Sequence, residues 1–290
     1  MIDIRLMGGL GNQMFQYSLY KQFELSGIPA KMFIEGSAAG SDKKTAIEDA
    51  FPEVRFVKDK NNEEYQKLTD YKRTIFAKVK RRFLYKARPV FYEKEDCQFD
   101  ERVLHLRNNA LIGYWQTSLY WSNKEEAIRQ SFRFRNEYDE ELLSVMNMIS
   151  DTESVSIHIR GGDYNTDDNR KLFGDICTNK YYQNAINKIE KIKGKNLKFF
   201  VFSNDDVSDI IDNKDAVYVS CLLRNSYPDW VDMMLMSKCK NNIIANSSFS
   251  WWAAYLNTNK EKMVLAPERW INGKKTKDIW EKQWIKVGNQ

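Results

Sequence analysis

Cysteine and histidine are scarce in this chain. Its 290 residues hold four cysteines, Cys97, Cys177, Cys221 and Cys239, and two histidines, His105 and His158. No two cysteines form a CxxC pair, which argues against a disulfide framework or a Cys-rich zinc site and fits a reducing compartment. Two histidines cannot build a His-rich metal centre. No D-x-D triplet occurs, so a common way of holding a divalent ion against a nucleotide diphosphate is missing, and no metal is expected. Long apolar runs are also absent, and no stretch approaches the roughly 18 residues of a membrane-spanning helix. The opening MIDIRLMGGLGNQMFQY lacks a basic leader followed by a long apolar stretch, so no secretory signal is expected. Nor does one sign of charge dominate. Lys plus Arg is 45 against 40 for Asp plus Glu, a net +5, which makes no case for nucleic acid.

What the chain does have is core. Hydrophobic residues make up 42% and aromatics 13%, enough to exclude general disorder. The length suits about two domains of roughly 150 residues each. Ile2, Ile4 and Leu6 alternate as on a strand, and Gly8-Gly9-Leu10-Gly11 follows as a tight segment. NQMFQYSLYKQFELSG then reads as a helix, with Phe15, Leu19 and Phe23 on one face and Gly27 as its stop. PAKMFIE is a second strand. From about 150 onward short apolar runs recur at 155–160, 197–203, 216–220, 241–246 and 263–267, with helix-like segments between most of them. That alternation predicts α/β units with parallel sheets covered on both faces, divided as 1–140 and 141–290.

Residues 36–100 carry little pattern. Within them, 71–89 holds eight basic residues and no acid. The plainer reading is a solvated helix whose apolar side packs on the core. The sharper one is contact with an anionic membrane surface.

In parallel α/β sheets ligands bind beyond the carboxyl ends of the strands, so the segments following each run are the candidate sites. After the first strand, Gly9, Gly11, Asn12 and Gln13 offer bare backbone and a helix N-terminus. Met14 breaks the G-x-G-x-x-G spacing, so a dinucleotide cofactor is not supported. In VSIHIRGGDY, Val155, Ile157 and Ile159 share one face, and Ser156, His158 and Arg160 the other. Asp163 follows in the loop. The planar Arg160 fork suits a diphosphate, and Asp163 or His158 suits proton acceptance. Asp167 and Asp168 are further bases in reach if the loop folds back. At NNIIANSSFSWW, a strand ends at Asn246 and a helix begins near Ser250 or Trp251, so Ser247, Ser248, Phe249 and Ser250 present hydroxyls and free N–H groups. The sequon Asn246-Ser247-Ser248 is discounted, since the site reads as buried. Ser203 and Asp205 end another run, and Asp232 begins a helix-like segment where a carboxylate could accept two N–H bonds from guanine.

RLMGGLGNQMFQY, HIRGGDY, FSND, DMMLMSKC and IIANSSFSWWAAYLN together resemble glycosyltransferase family 11, the α-1,2-fucosyltransferases of bacterial type. These pieces extend from residue 5 to residue 257. The resemblance implies a GT-B architecture of two facing Rossmann-like domains, with residues 1–140 on the acceptor side. It implies inverting transfer of L-fucose from GDP-β-L-fucose to a galactose 2-hydroxyl without a metal. Arg160 would hold the diphosphate, Asn12 would lie beside the donor, Ser247, Ser248 and Phe249 would line the nucleotide site, and Asp232 would read guanine. The family's H-x-R-R-G-D-Y carries a second arginine where Gly161 stands here, leaving Arg160 to act alone with backbone N–H groups or with another cation. The acceptor would be a galactose-terminated glycan, lipid-linked in some relatives, reached from the cytoplasm or from the inner membrane face. Two other readings remain open. One is transfer of another GDP-sugar or another linkage, and the other is a catalytically silent nucleotide- or glycan-binding protein.

Overall fold

The computed structural model describes residues 1–34, 45–59, 88–160, 167–203, 205, 207, 210–211, 216–223 and 227–290. The chain divides into two compact units, Met1–Arg135 and Asn136–Gln290. Of the basic stretch 71–89, only Arg88 and Pro89 fall within the described residues.

The first unit opens with β1 (Ile2–Leu6), α1 (Leu10–Leu25) and β2 (Ala30–Ile34), then a short α2 (Ala46–Ala50) and β3 (Lys58–Asp59). β4 (Val90–Tyr92) and β5 (Ala110–Ile112) follow, and α3 (Glu125–Gln130) comes near its end. All strand pairings are parallel, in the order β3-β2-β1-β5-β4. Ile2, Ile4 and Leu6 are buried, and so is Asp3 on the opposite side of β1, where Arg88 pairs with it. A strand covered on both faces tolerates such a charge only when it is paired. Phe15, Leu19 and Phe23 of α1 are all buried. Gly27, at φ +71°, ends the helix in a Schellman turn: Ile28 N donates to Phe23 O at 3.0 Å and Gly27 N to Glu24 O at 2.9 Å.

The second unit contains α4 (Glu140–Ser150), β6 (Ser154–His158), α5 (Asp167–Phe173), α6 (Asn179–Lys193) and β7 (Lys198–Phe202). It continues with β8 (Val217–Tyr218), α7 (Val219–Leu222), α8 (Asp229–Lys238), β9 (Asn241–Ile243), α9 (Ser248–Leu256), β10 (Val264–Pro267) and β11 (Ile285–Val287). The sheet is again parallel, ordered β11-β10-β9-β6-β7-β8. Val155, Ile157 and Ile159 face a core made with Tyr181, Tyr182, Ile189, Phe199, Val201 and Leu265. On the other face, buried Asn242 donates to Ser156 Oγ and to Met236 O, both at 2.8 Å, and accepts from Asn257 Nδ2 at 2.8 Å.

The α/β class with two parallel sheets is therefore as the sequence implied. Several bounds differ. The run at 216–220 is a strand only at Val217–Tyr218 and turns helical at Val219. The run at 241–246 leaves the sheet after Ile243, and the helix after it starts at Ser248 rather than Ser250 or Trp251, because Ser247 caps it. β4, β5 and β11 were not anticipated. Each has three residues, too few to show a period of two. No helix among the described residues is long and apolar enough to cross a membrane.

Candidate functional site

Strand order locates the crevices. In the second unit the chain runs from β6 outward through β7 to β8, then returns to the other side of β6 with β9. The order reverses between β6 and β9, and such a switch point opens a crevice outside the carboxyl ends of the two strands. At those ends lie His158, the last residue of β6, with Arg160 after it, and Asn246 to Phe249 after β9. The His158 and Phe249 rings pack at 5.6 Å between centroids, which joins the end of β6 to the start of α9.

Within this group the side chains divide. Ser247 caps α9 by accepting from Phe249 N at 3.3 Å. Ser250 is fully buried and its hydroxyl turns back to Ala245 O and Ser247 O, each at 3.4 Å. Asn246 donates to Phe173 O and Trp270 O, both at 3.2 Å, and accepts from Cys177 Sγ at 3.4 Å. Asn246 and Ser250 thus position the loop, and Ser248 and Phe249 are its half-buried, accessible members. Ser203, beyond β7, accepts from Asp205 N at 3.2 Å and so shapes a turn, with Asp205 exposed.

Arg160 is half-buried at the end of β6. Burial, followed by the Arg160 charge, pushes the His158 pKa down to about 3, so the imidazole is neutral at ordinary pH. Its Nδ1 has no hydrogen-bond partner among the described residues. On α8, burial and then neighbouring Asp229 push the Asp232 pKa up to about 7. Asp163 lies outside the described residues, as do the side chains of Asp167 and Asp168.

In the first unit the order reverses between β1 and β5. Gly8 follows β1 at φ +77°, and a Cβ there would meet Asn12 Nδ2 at 2.7 Å. Gly8 and Gly9 are exposed, and Gly9 caps α1 without any side-chain acceptor, so the helix start offers bare N–H groups. Asn12 Oδ1 accepts from Gln116 Nε2 at 2.7 Å. Gln13 donates to Gly8 O at 2.8 Å and accepts from Ile47 N at 3.1 Å, which makes it a brace for the loop. Gly11 is buried in the first turn.

Sequence reasoning missed three residues here. Gln16 accepts from Met7 N at 2.8 Å and donates to Gly113 O at 3.2 Å, tying the ends of β1 and β5 together. Gln116 holds Asn12. Glu93 accepts from Tyr114 N at 2.6 Å and Trp115 N at 3.0 Å. The one available signal was Gln16 itself, a polar residue on the buried face of α1. No cluster of three or more His, Cys, Asp or Glu suited to a metal occurs among the described residues.

A family model described as Glycosyl transferase family 11 matches residues 1–288. The chain is 29% identical to the O-antigen biosynthesis glycosyltransferase WbnK of Escherichia coli, over 97% of this chain and 99% of that protein. It is 30% identical to an alpha-1,2-colitosyltransferase of Escherichia coli, over 98% of this chain and 97% of that one. Among solved structures, POFUT1 in complex with GDP gives a TM-score of 0.46 at 11% identity, covering 92% of this chain and 98% of that chain. With a match that leaves out only the last two positions, the chain belongs to glycosyltransferase family 11 and is a glycosyltransferase.

Proposed function

We propose that the chain transfers L-fucose, with inversion, from GDP-β-L-fucose to the 2-hydroxyl of a terminal galactose in a glycan. The observation that carries the reading is the packing of the end of β6 against the start of α9 at a switch point, with Arg160, Ser248 and Phe249 accessible there. GDP binds with its diphosphate against the Arg160 fork and the N–H groups at the start of α9, and its guanine against Asp232. The acceptor oxygen attacks the anomeric carbon as the bond to the β-phosphate oxygen breaks. Negative charge grows on the diphosphate, where fixed donors are most effective. The acceptor proton goes to a carboxylate. A buried imidazole with a pKa of about 3 accepts a proton poorly, so Asp163 is assigned as the base in preference to His158. No metal takes part in this scheme.

The alternative with a specific observation behind it is transfer of colitose, which is L-fucose lacking its 3-hydroxyl, since one relative is an alpha-1,2-colitosyltransferase. A product assay separates the two. The protein is given GDP-fucose or GDP-colitose with a panel of galactosides, and the linkage is determined by NMR. An α-1,2-fucosylated galactoside is the expected product, and product from GDP-colitose alone overturns the fucose assignment. Release of GDP that never yields a glycoside would overturn transfer altogether.

We further propose that the acceptor is lipid-linked and is met at the inner membrane face, with 71–89 against anionic lipid. Co-sedimentation with anionic but not neutral vesicles supports this placement, and equal behaviour with both removes it.

A further inference from the structure

The first unit has a pocket of about 300 Å³ that none of the proposed donor contacts uses. It lies beyond β4 and β5, walled by Glu93, the first residue after β4, and Trp115, close after β5. Parallel strands end on one edge of a sheet, so this pocket opens on the edge that carries the Gly8–Asn12 loop. Cys97, next in sequence to the lining residue Gln98, is tied to that loop: its Sγ donates to Gln116 Oε1 at 3.4 Å, and Gln116 Nε2 donates to Asn12 Oδ1 at 2.7 Å.

The lining matches a neutral sugar. Phe99, half-buried, supplies aromatic surface for the C–H face of a pyranose, backed by the buried ring of Tyr120, which lies edge-on to Phe99 and to Trp115. Exposed Glu95 supplies a hydroxyl partner at the wall. Among the described residues the charged lining is Glu93, Glu95, Asp100 and Glu101 against Lys94 and Arg102, an acidic balance that disfavours phosphate or an acidic sugar. The volume sits at the low end of small-ligand clefts, about 300–1,000 Å³, which fits one or two rings rather than a nucleotide. Trp115 is fully buried, and its Nε1–H has no acceptor among the described residues, a donor that a ligand oxygen can satisfy. Its backbone is held at φ +57°, rare for so bulky a residue, by the two amide bonds that Glu93 accepts.

From these observations we infer that the pocket binds a neutral pyranose of the acceptor, the sugar adjoining the galactose that receives the transferred group. The inference rests on the glycan-acceptor reading above. Its test is direct binding, so that its failure is distinguishable from failure of the transfer reading. Methyl β-lactoside is titrated into the parent, Phe99→Ala and Glu95→Ala proteins and followed by saturation-transfer NMR, with GDP binding measured in parallel. Glu95 is exposed, so its variant folds even if Phe99→Ala does not. The expected result is lactoside binding by the parent, weakened at least fivefold in a folded variant, with GDP binding unchanged. In turnover the same variant raises KM for lactoside at least fivefold and leaves KM for methyl β-galactoside, which lacks the adjoining ring, as it was. Parent protein that does not bind lactoside, or variants that bind it as the parent does, overturn the inference, whatever the transfer assay gives.

Discussion

Asp232 and His158 carry opposite pH signatures. Folded Asp232 keeps its proton up to about pH 7, while the unfolded chain loses it near 3.8. Through that window the folded state binds the extra proton, so this group's contribution to stability falls as pH rises and is fully lost above 7. His158 runs the other way. The unfolded chain protonates near 6.5 and the folded one only near 3, so its contribution is complete above 6.5 and is lost as pH falls. Asp232→Asn is therefore expected to raise Tm above pH 7 and to leave it nearly unchanged below 3.8, as read by thermal melts across pH. If ionised Asp232 reads guanine, GDP binding must release one proton below pH 7. Affinity then falls by up to tenfold per pH unit on acidification, and Asp232→Asn flattens the slope; calorimetry in buffers of different ionisation heat measures both. At Arg160, replacement by Ala removes a charge donor from the growing diphosphate charge. By analogy with loss of an oxyanion donor, about 2.7–4 kcal/mol, kcat should fall about a hundredfold or more. A steady-state assay showing less than a tenfold loss contradicts the role.

At the scale of elements, the loops depend on how α1 and α9 begin. Gly8→Ala places a side chain in the left-handed region, at a cost of about 1–2 kcal/mol. It also forces Asn12 away from Gly8, and so strains the bond from Asn12 to Gln116. The expected result is a lower Tm together with weaker substrate binding. Ser247→Ala removes the cap of α9 and should cost about 1 kcal/mol, seen as a shifted denaturant midpoint with unchanged slope. These elements also show what could be read from the residues alone. Gly8 to Gln13 and the alternation of Val155 to Arg160 were legible, because a glycine run and a period of two are local signals. The roles of Asn246, Ser250 and Gln13 were not. Each reads as a polar ligand in a line of sequence, and only the fold reveals the carbonyls and amides that engage their side chains. Glu93 was invisible for the same reason, since its partners are about twenty residues away across a neighbouring strand.

Across the whole molecule, each unit has its own parallel sheet, and every strand of the second unit comes from a continuous stretch of chain. A polypeptide of residues 136–290 is therefore expected to melt cooperatively and to bind GDP by calorimetry, whereas residues 1–135 should not bind it. The α/β character of the second unit was legible from the alternation of apolar runs and helices after residue 150. The order of the strands was not, because returning from β8 to the far side of β6 leaves no local mark. That return sets Asn242 beside Ser156. Sliding β9 along β6 by one position would swing Asn242 into the aliphatic layer beside Val155 and Ile157, with its amide cut off from every partner. The amide thus works as a key in a lock. It admits one alignment of the two central strands, and the spacing between Arg160 and Phe249 is inherited from that alignment.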